Sequence, residues 1–279
     1  MKKLFSLFCV LTLCTALFAG CASSNRDGGS GDVPTADPVN VRVAALKGPT
    51  AMGMVQFMDQ VDSGVLADNN YTFSIAAAID EVTPMLAKGE LDIAAIPANV
   101  SSVLYNNNSA GFQVLAINTL GVLYIVESGN TVQSMEDLRG KTIYASGKGA
   151  TPEYALNYIL SANGIDPTAD VTIEWKSEHA ECLASLLANE GSLALLPQPF
   201  VTSALAQVEG LRVALDMNEE WEKVAGSKLV TGVLVARKDA VEADPARFAA
   251  FMDGYKASVE AANTDLENTA ALCEQYGIV

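Results

Sequence analysis

The fold is decided by Val41-Arg-Val-Ala-Ala-Leu-Lys-Gly-Pro-Thr50, a stretch that reads as an apolar strand, a glycine loop and a helix start. The same order recurs in Lys141-Thr-Ile-Tyr-Ala-Ser-Gly-Lys-Gly-Ala-Thr151. A second strand that ends in proline follows each stretch, as Leu91-Asp-Ile-Ala-Ala-Ile-Pro97 and as Ser192-Leu-Ala-Leu-Leu-Pro197. The threonine at the helix start and the proline are 47 residues apart in the first module and 46 in the second. Two matched modules predict two lobes with a cleft between them, and clefts are where small molecules bind.

The remaining sequence from residue 40 onward alternates strands with helices. Strands near Phe73 and Ile173 each lie 24 residues before the proline of their module. One helix is predicted over 51–66, directly after the first strand. The apolar run Phe112–Val126 reads as two strand pieces joined at Asn118-Thr119, of which the second crosses into lobe two. The alternation predicts the α/β class, with mostly parallel sheets that helices cover on both faces.

Residues 1–20 read as a signal peptide that is absent from the mature protein. A positively charged start precedes an apolar stretch from Leu4 to Phe18, which is too short to span a bilayer comfortably. Small residues and then Cys21 follow, an order that resembles a bacterial lipobox with an acylated cysteine. Phe18 departs from that pattern, because a branched aliphatic residue is usual there. The alternative is an ordinary secretory signal that contains cysteines. Residues 21–39 are rich in Ser, Gly, Asp and Pro and predict a flexible tether.

Charge and cysteine content limit the partners. The formal charge is −16, and without residues 1–20 it is −18, from 15 basic and 33 acidic residues. This balance argues against nucleic acid as a partner, and against adsorption to anionic lipid without an anchor. The sequence leaves open whether Cys182 and Cys273, which lie in distant segments, form a disulfide. No metal-ligand spacing is present, and we predict no metal and no cofactor.

Four loops stand where ligands bind in open α/β sheets, beyond the carboxyl ends of strands and beside helix N-termini. Lobe one offers Gly48–Ala51 and Pro97–Asn99, and lobe two offers Gly147–Thr151 and Pro197–Pro199. Thr151 is predicted to be the N-cap of its helix. Well-made turns would explain any one of these loops. Four loops in equivalent positions of two modules favour a ligand site.

Signals for catalysis are weak. His179 is the only histidine, and its place at a helix start indicates an exposed, structural role. The sequence contains no Gly-x-Ser-x-Gly, no Ser-x-x-Lys and no Cys-His constellation of recognisable spacing. The stretch Ser146–Ala150 is not a P-loop, because Lys148 is followed by glycine rather than by a hydroxyl residue. We therefore predict that the protein is not an enzyme.

These residues resemble the solute-binding lipoproteins of ABC importers. The lipobox, the tether and Ala45-Leu-Lys-Gly-Pro-Thr-Ala-Met-Gly53 carry the resemblance, which covers about residues 41–279. The segments Lys88–Asn99, Leu195–Val201 and Leu229–Val235 are similar to the branch that binds nitrate, sulfonates, taurine and thiamine precursors. The resemblance implies the type II periplasmic binding protein fold. In that fold each lobe is a mostly parallel sheet flanked by helices, and a two-strand hinge lets the lobes close on the ligand.

The resemblance also implies boundaries and partners. Lobe one would comprise residues 40–125 and 233–279, and lobe two residues 126–232. Relatives usually run beyond Val279, so truncation at the C-terminus is an expectation. The protein would be a monomeric receptor, lipid-anchored on the extracytoplasmic face of the cell membrane, that delivers a small molecule to the permease subunits. Gln198 stands where relatives often carry an acid, so a sulfonate- or nitrate-like anion and a thiamine-precursor-like heterocycle both remain open as ligands.

Ten residues are predicted to contact the ligand through hydroxyl, amide or backbone groups. They are Thr50, Ala51, Asn99, Asn118, Thr119, Gly149, Ala150, Thr151, Gln198 and Thr231. The alternative function is an enzyme on the same fold, as in relatives that act in menaquinone or pyrimidine-precursor synthesis. Export with a lipid anchor and a single histidine disfavour that alternative.

Overall fold

The computed structural model describes residues 40–66, 70–108 and 111–278, so the predicted signal peptide and tether lie outside the described residues. Within those ranges, ten strands and eleven α-helices alternate along the chain. The strands are β1 Val41–Leu46, β2 Tyr71–Ala76, β3 Ile93–Pro97, β4 Phe112–Leu120, β5 Leu123–Ser128, β6 Thr142–Ser146, β7 Thr172–Lys176, β8 Leu193–Pro197, β9 Leu211–Asp216 and β10 Val230–Arg237. The helices are α1 Pro49–Met52, α2 Val55–Asp62, α3 Ile79–Lys88, α4 Ala98–Asn107, α5 Thr151–Ala162, α6 His179–Ala188, α7 Phe200–Gln207, α8 Met217–Ala225, α9 Lys238–Ala243, α10 Pro245–Thr264 and α11 Leu266–Gln275.

The strands form two five-stranded sheets, one for each lobe, with the orders β2-β1-β3-β10-β4 and β7-β6-β8-β5-β9. In each sheet four strands point the same way, and one, β10 or β5, runs antiparallel to both of its neighbours. Val43 pairs with Ile93 and Ile143 pairs with Leu193, so the register offset is 50 residues in both modules. The repeat in the sequence is therefore a repeat in the structure, and the predicted two-lobed α/β class is confirmed.

Helices cover both faces of each sheet. Successive side chains of a strand point to opposite faces, so each face packs against its own set of helices. In β1, Val43 packs in a buried cluster with Phe57 and Phe251, whereas its neighbour Ala44 packs in a different cluster with Leu86. The sheet of lobe two likewise separates two clusters. Each lobe thus has its own core, and the loops at the sheet edges remain available for a site.

The C-terminal helices α10 and α11 pack on α2 of lobe one. The backbone N–H of Phe57 donates to Ser258 Oγ at 3.1 Å, and Gln56 Nε2 donates to Thr269 Oγ1 at 3.2 Å. Gly48 N donates to the carbonyl of Ile278 at 3.1 Å. The end of the described chain therefore holds the loop that follows β1.

The two lobes are joined by two crossing segments. The first is Gly121-Val122 between β4 and β5, and not Asn118-Thr119 as the sequence predicted. Thr119 pairs with Gly232 of β10, so β4 continues past the predicted break. The second crossing leads from α8 into β10, and Gly121 N donates to the carbonyl of Leu229 at 2.8 Å. The two crossings are thus hydrogen-bonded to each other as a two-strand hinge.

The sheets also bear on the predicted lobe boundaries. The boundary after residue 125 falls inside β5, which pairs only in the second sheet. The boundary after residue 232 falls inside β10, which pairs only in the first sheet. The division into lobes at those residues stays a prediction.

Three local elements differ from the sequence prediction, and one of them is the short helix α9, which was not predicted. The helix predicted over 51–66 is broken into α1 and α2 at Gly53, where α10 approaches closely: a Cβ at Gly53 would lie 3.0 Å from Val259 Cγ2. Helix α8 was not predicted, and it begins where Asp216 Oδ1 accepts a hydrogen bond from Asn218 N at 2.8 Å. No helix in the described ranges combines the length and apolarity needed to cross a membrane.

The cysteines do not pair within the described chain. Cys182 is a buried free thiol in a lobe-two core cluster, and Cys273 is one in a lobe-one cluster. Burial raises the pKa of the Cys182 thiol to about 11. This thiol therefore stays protonated at neutral pH.

Candidate ligand site between the lobes

The four predicted loops lie at the carboxyl ends of β1, β3, β6 and β8, each directly before a helix. Because β1 runs parallel to β3, and β6 to β8, the two loops of each lobe open at the same edge of its sheet. Gly149 has a φ of 78°, a left-handed conformation that glycine adopts without strain. Its N–H donates to Glu153 Oε2 at 2.6 Å, which ties the loop to the first turn of α5.

Hydrogen bonds connect the two lobes at this edge. Asn99 Nδ2, at the start of α4, donates to the carbonyl of Gly149 at 2.9 Å. The hydroxyl of Thr151 lies 3.1 Å from Asn99 Oδ1 and 3.4 Å from the carbonyl of Thr231 in β10. The structure thus brings together four of the predicted contact residues, two from each lobe. The predicted N-cap role of Thr151 is wrong: α5 begins at Thr151 and its N-cap is Ala150. The Thr151 hydroxyl bonds to lobe one and not to the first turn of α5.

A second set of predicted residues joins the first through Thr231. The Thr231 hydroxyl donates to the carbonyl of Thr119 at 3.2 Å, and the Thr119 hydroxyl donates to Asn118 Oδ1 at 3.1 Å. Asn118 Nδ2 donates to the carbonyl of Thr50 at 3.0 Å. The Thr50 hydroxyl donates to the carbonyl of Leu46 at 3.1 Å within its own turn. Seven of the ten predicted residues therefore belong to one polar network that spans the lobes.

The other three predicted residues lie outside this network. The Ala51 side chain is fully buried in the lobe-one core, and its N–H donates to the carbonyl of Gly48 at 3.1 Å. Gln198 Oε1 accepts from the N–H of Thr202 at 3.2 Å and from its hydroxyl at 2.8 Å, so it satisfies the first turn of α7. Ala150 stands at the N-cap of α5. Ligand contact by all ten residues stays a prediction.

Sequence reasoning missed Ser146 and misjudged His179. Ser146, the buried last residue of β6, has its Oγ 2.6 Å from Nδ1 of His179, the first residue of α6. The imidazole is half-buried rather than exposed as predicted, and its ring centroid lies 5.9 Å from that of Phe200. Burial lowers the pKa of His179, and the charge of Glu178 opposes that shift only in part. The available signal was positional, since both residues border a carboxyl end of a lobe-two strand.

Gly232 is the second residue that sequence reasoning missed. It is buried in β10, and a Cβ there would lie 2.6 Å from Asn118 Oδ1, 2.8 Å from Thr119 Oγ1 and 2.9 Å from Thr50 Cγ2. Real Cβ atoms do not approach other atoms this closely, so only glycine lets these three side chains converge. The alternation of small and apolar residues in this strand gives no separate signal for that role.

The chemistry of the network is that of neutral hydrogen-bonding groups. Its side chains are amides and hydroxyls, which both donate and accept, and none of the ten predicted residues is charged. No group of three or more His, Cys, Asp or Glu side chains that could hold a metal ion occurs in the part of the chain that the structure describes. Such a set of groups is suited to bind a small polar molecule by complementary hydrogen bonds.

Comparisons with known proteins agree on the fold. A family model described as menaquinone biosynthesis matches residues 43–278. No curated protein sequence matches the chain. An ABC transporter protein from Parabacteroides distasonis is 22% identical with a TM-score of 0.68, and the match covers 86% of this chain and 79% of that one.

Two sulfonate-binding proteins also have similar structures. The periplasmic aliphatic sulphonate binding protein SsuA from Escherichia coli is 16% identical with a TM-score of 0.70, over 86% of this chain and 79% of that one. The alkanesulfonate-binding protein SsuA from Xanthomonas axonopodis pv. citri, solved bound to MOPS, is 16% identical with a TM-score of 0.65, over 87% and 81%. The similarity shows the predicted type II periplasmic binding protein fold.

Proposed function

We propose that this chain, which belongs to the menaquinone biosynthesis family, is a substrate-binding protein of an ABC importer. It would hold a small solute between its two lobes. The observation that carries the proposal is the polar network at the carboxyl ends of the strands, in which Asn99 and Thr231 of lobe one meet Gly149 and Thr151 of lobe two. Hydrogen-bonding groups from both lobes converge there, beside a two-strand hinge. A ligand that binds the closed form better than the open form would shift the population toward closure.

The chemistry of the network supports a small polar ligand. Arginine is absent from the ten predicted contact residues, so a bidentate clamp on a carboxylate or a phosphate is not part of the proposal. Helix N-termini at the four loops would supply N–H groups for an anion, and the amide of Asn99, which both donates and accepts, would suit a heterocycle. The structures of the two sulfonate-binding proteins make an anion the natural first comparison.

The proposal includes the location and the partners of the protein. Residues 1–20 would direct export, and acylated Cys21 would anchor the mature protein on the extracytoplasmic face of the membrane. A single acyl chain binds membranes only reversibly, so stable anchoring requires a second chain. From there a monomer would deliver its solute to the permease subunits.

The experiment is a thermal-unfolding screen of the purified protein against a pool of small polar metabolites. A ligand that binds only the folded state stabilises it by about 2.7 kcal/mol at 100 times its Kd. We expect at least one metabolite to raise the melting temperature and to return chemically unchanged. The complete absence of stabilising compounds in a pool that contains anions and heterocycles would count against a solute receptor.

A second candidate function is an enzyme of menaquinone synthesis or a related pathway. Two observations favour it: the family match, and the Ser146–His179 pair at the edge of lobe two. A hydroxyl and a neutral imidazole at this distance could move a proton. Chemical change of a bound compound during incubation, lost in the His179→Asn variant, would establish this function in place of the first.

A further inference from the structure

The outer edge of β4 is the sheet edge, among the described residues, that exposes large apolar side chains. β4 is the last strand of the lobe-one sheet, and in the described ranges only β10 pairs with it. Val114, Ile117 and Leu120 of β4 are 53%, 57% and 51% exposed, and every other exposed large apolar residue of the described chain lies outside the strands. Register shifts between β4 and β10 explain their spacing of three, because bulges re-aim side chains. We call these three residues the β4 edge.

Helix α4 extends this apolar surface. Val103 and Tyr105 of α4 are exposed, and Tyr105 lines a groove between α4 and β4 together with Phe112 and Val114. Residues 93–126 contain no Asp, Glu, Lys or Arg, although the chain carries a formal charge of −16. Contiguous exposed apolar surface marks an interaction site.

The equivalent edge of lobe two is built differently. β9 is the last strand of its sheet and has no exposed apolar side chain. It carries Arg212, which forms an ion pair with Glu127, and Asp216, whose Oδ1 accepts from Asn218 N at 2.8 Å. Charged side chains on an edge strand oppose pairing with a further strand. The repeated fold therefore does not require an open edge, which is particular to lobe one.

The chemistry of the β4 edge selects its occupant. An edge strand presents unpaired backbone N–H and C=O groups, which another strand satisfies. A charged partner would lose its hydration against a face that has no charge to pair with it. A second copy of this chain offers a strand of the same length without charge. At this face two acidic copies can also approach without placing like charges against each other.

We propose that the β4 edge is a contact between two copies of this chain, which pair antiparallel about a two-fold axis at Ile117. In that register Ile117 faces its own counterpart, and Val114 faces the second copy's Leu120, so all three exposed side chains are matched. One strand of nine residues and part of a helix is smaller than the about 20–30 residues a side of a standard interface, so the pair should be weak and reversible. The inference goes beyond the proposed function, in which the monomer released from this pair delivers the solute.

Sedimentation equilibrium tests the pairing. Each protein carries Cys21→Ser, so that no acyl anchor drives association, and this parent should pass from monomer to dimer between roughly 1 µM and 1 mM. Ile117→Lys should weaken the dimer about tenfold or more, because each pair loses two buried isoleucines and gains two facing charges. Leu266→Lys in α11 is the matched control, since Leu266 is equally apolar and exposed, and it should leave the dimer unchanged. A parent that stays monomeric throughout this range, or a dimer that Ile117→Lys leaves intact, would overturn the proposal.

Disulfide trapping tests the position of the axis. The Cα atoms of opposite residues in antiparallel strands are about 4.5–5.5 Å apart, which lies within the about 4.4–6.8 Å that a disulfide spans. Ile117→Cys should therefore give a covalent dimer under mild oxidation much faster than Leu266→Cys. Cys182 and Cys273 are buried and should not compete. Equal rates for the two variants would refute an axis at Ile117.

A lipid surface is the other occupant to test. The parent and the Ile117→Lys variant are mixed with phosphatidylcholine vesicles and separated by flotation, and we expect neither protein to float with the vesicles. Flotation of a monomeric parent that Ile117→Lys abolishes would overturn the pairing and assign this face to the membrane. Stabilisation by solutes is measured separately on the same proteins, so failure of the pairing does not bear on the proposed binding function.

Discussion

The Gly232→Ala variant tests whether β4, β10 and α1 form one packed site. An added Cβ would lie 2.6 Å from Asn118 Oδ1, 2.8 Å from Thr119 Oγ1 and 2.9 Å from Thr50 Cγ2. The backbone at Gly232 cannot withdraw, because it pairs with β3 on one side and β4 on the other. Overpacking of this kind costs about 1–3 kcal/mol. For a chain of this size we expect the melting temperature to fall by roughly 2–12 °C, at about 2–4 °C per kcal/mol.

The same variant should weaken solute binding. Displaced Asn118 and Thr119 would leave a polar group of the solute short of a partner, which corresponds to an affinity loss of about 5- to 150-fold. Isothermal titration calorimetry with the solute identified in the screen measures this loss of affinity. Thermal unfolding without solute measures the loss of folding stability separately.

The matched control is Gly254→Ala in α10. A Cβ there would lie 2.8 Å from Phe57 Cζ, so the crowding is similar, but it falls in the lobe-one core away from the loops. Alanine also improves helix propensity by up to about 1 kcal/mol, which offsets part of the cost. We expect lower stability with unchanged affinity. If both variants bind the solute as tightly as the wild type, the residues around Gly232 are not the ligand site.

Three further predictions concern the interlobe contact, acid stability and the anchor. Thr151→Val removes the hydroxyl that reaches lobe one and should weaken solute binding about 5- to 150-fold in calorimetry, whereas unchanged affinity would place the site in one lobe. Burial acts to raise the pKa of Glu127, but hydrogen bonds from residues 131–132 and from Arg212 outweigh this effect, so the pKa is lowered. The folding stability that this carboxylate contributes is therefore present above pH 4.5, and it is lost as the pH falls through the pKa of the folded state. In urea unfolding below pH 4.5, the free energy of unfolding of Glu127→Gln should therefore depend less steeply on pH than that of the wild type. An identical slope in the two proteins would show that Glu127 does not cause the loss of stability in acid. Cys21→Ser should release the protein from the detergent phase or leave it unprocessed in its native host, and an unmodified thiol at Cys21 of the mature native protein would rule out the anchor.

Much of the fold could be predicted because the signals are local. Each module repeats an apolar strand, a glycine loop and a helix start, and these short-range patterns placed β1, β3, β6 and β8 correctly. The hinge crossing was misplaced by a few residues because its position depends on pairing with β10, more than 100 residues later in the chain. Helix α8 was overlooked although a local signal existed: Asp216 at the N-cap is followed three residues later by Glu219.

The site could be predicted only in part for a similar reason. The rule for strand ends selected Asn99 and Thr151, but which atoms meet depends on how the lobes are placed. Ser146 and His179 are 33 residues apart, and a lone histidine at a helix start gives no sign of a buried partner. The need for glycine at position 232 arises from side chains of three separate elements, so the sequence of β10 alone could not reveal it.

The most direct test of the central claim is mass spectrometry of the small molecules released when the purified protein is gently unfolded, followed by re-incubation of the recovered compound with fresh protein. We predict one polar metabolite at about one molecule per chain, recovered with unchanged mass and fragmentation after prolonged incubation. A compound that disappears with the appearance of a product would contradict the account and establish an enzyme on this fold.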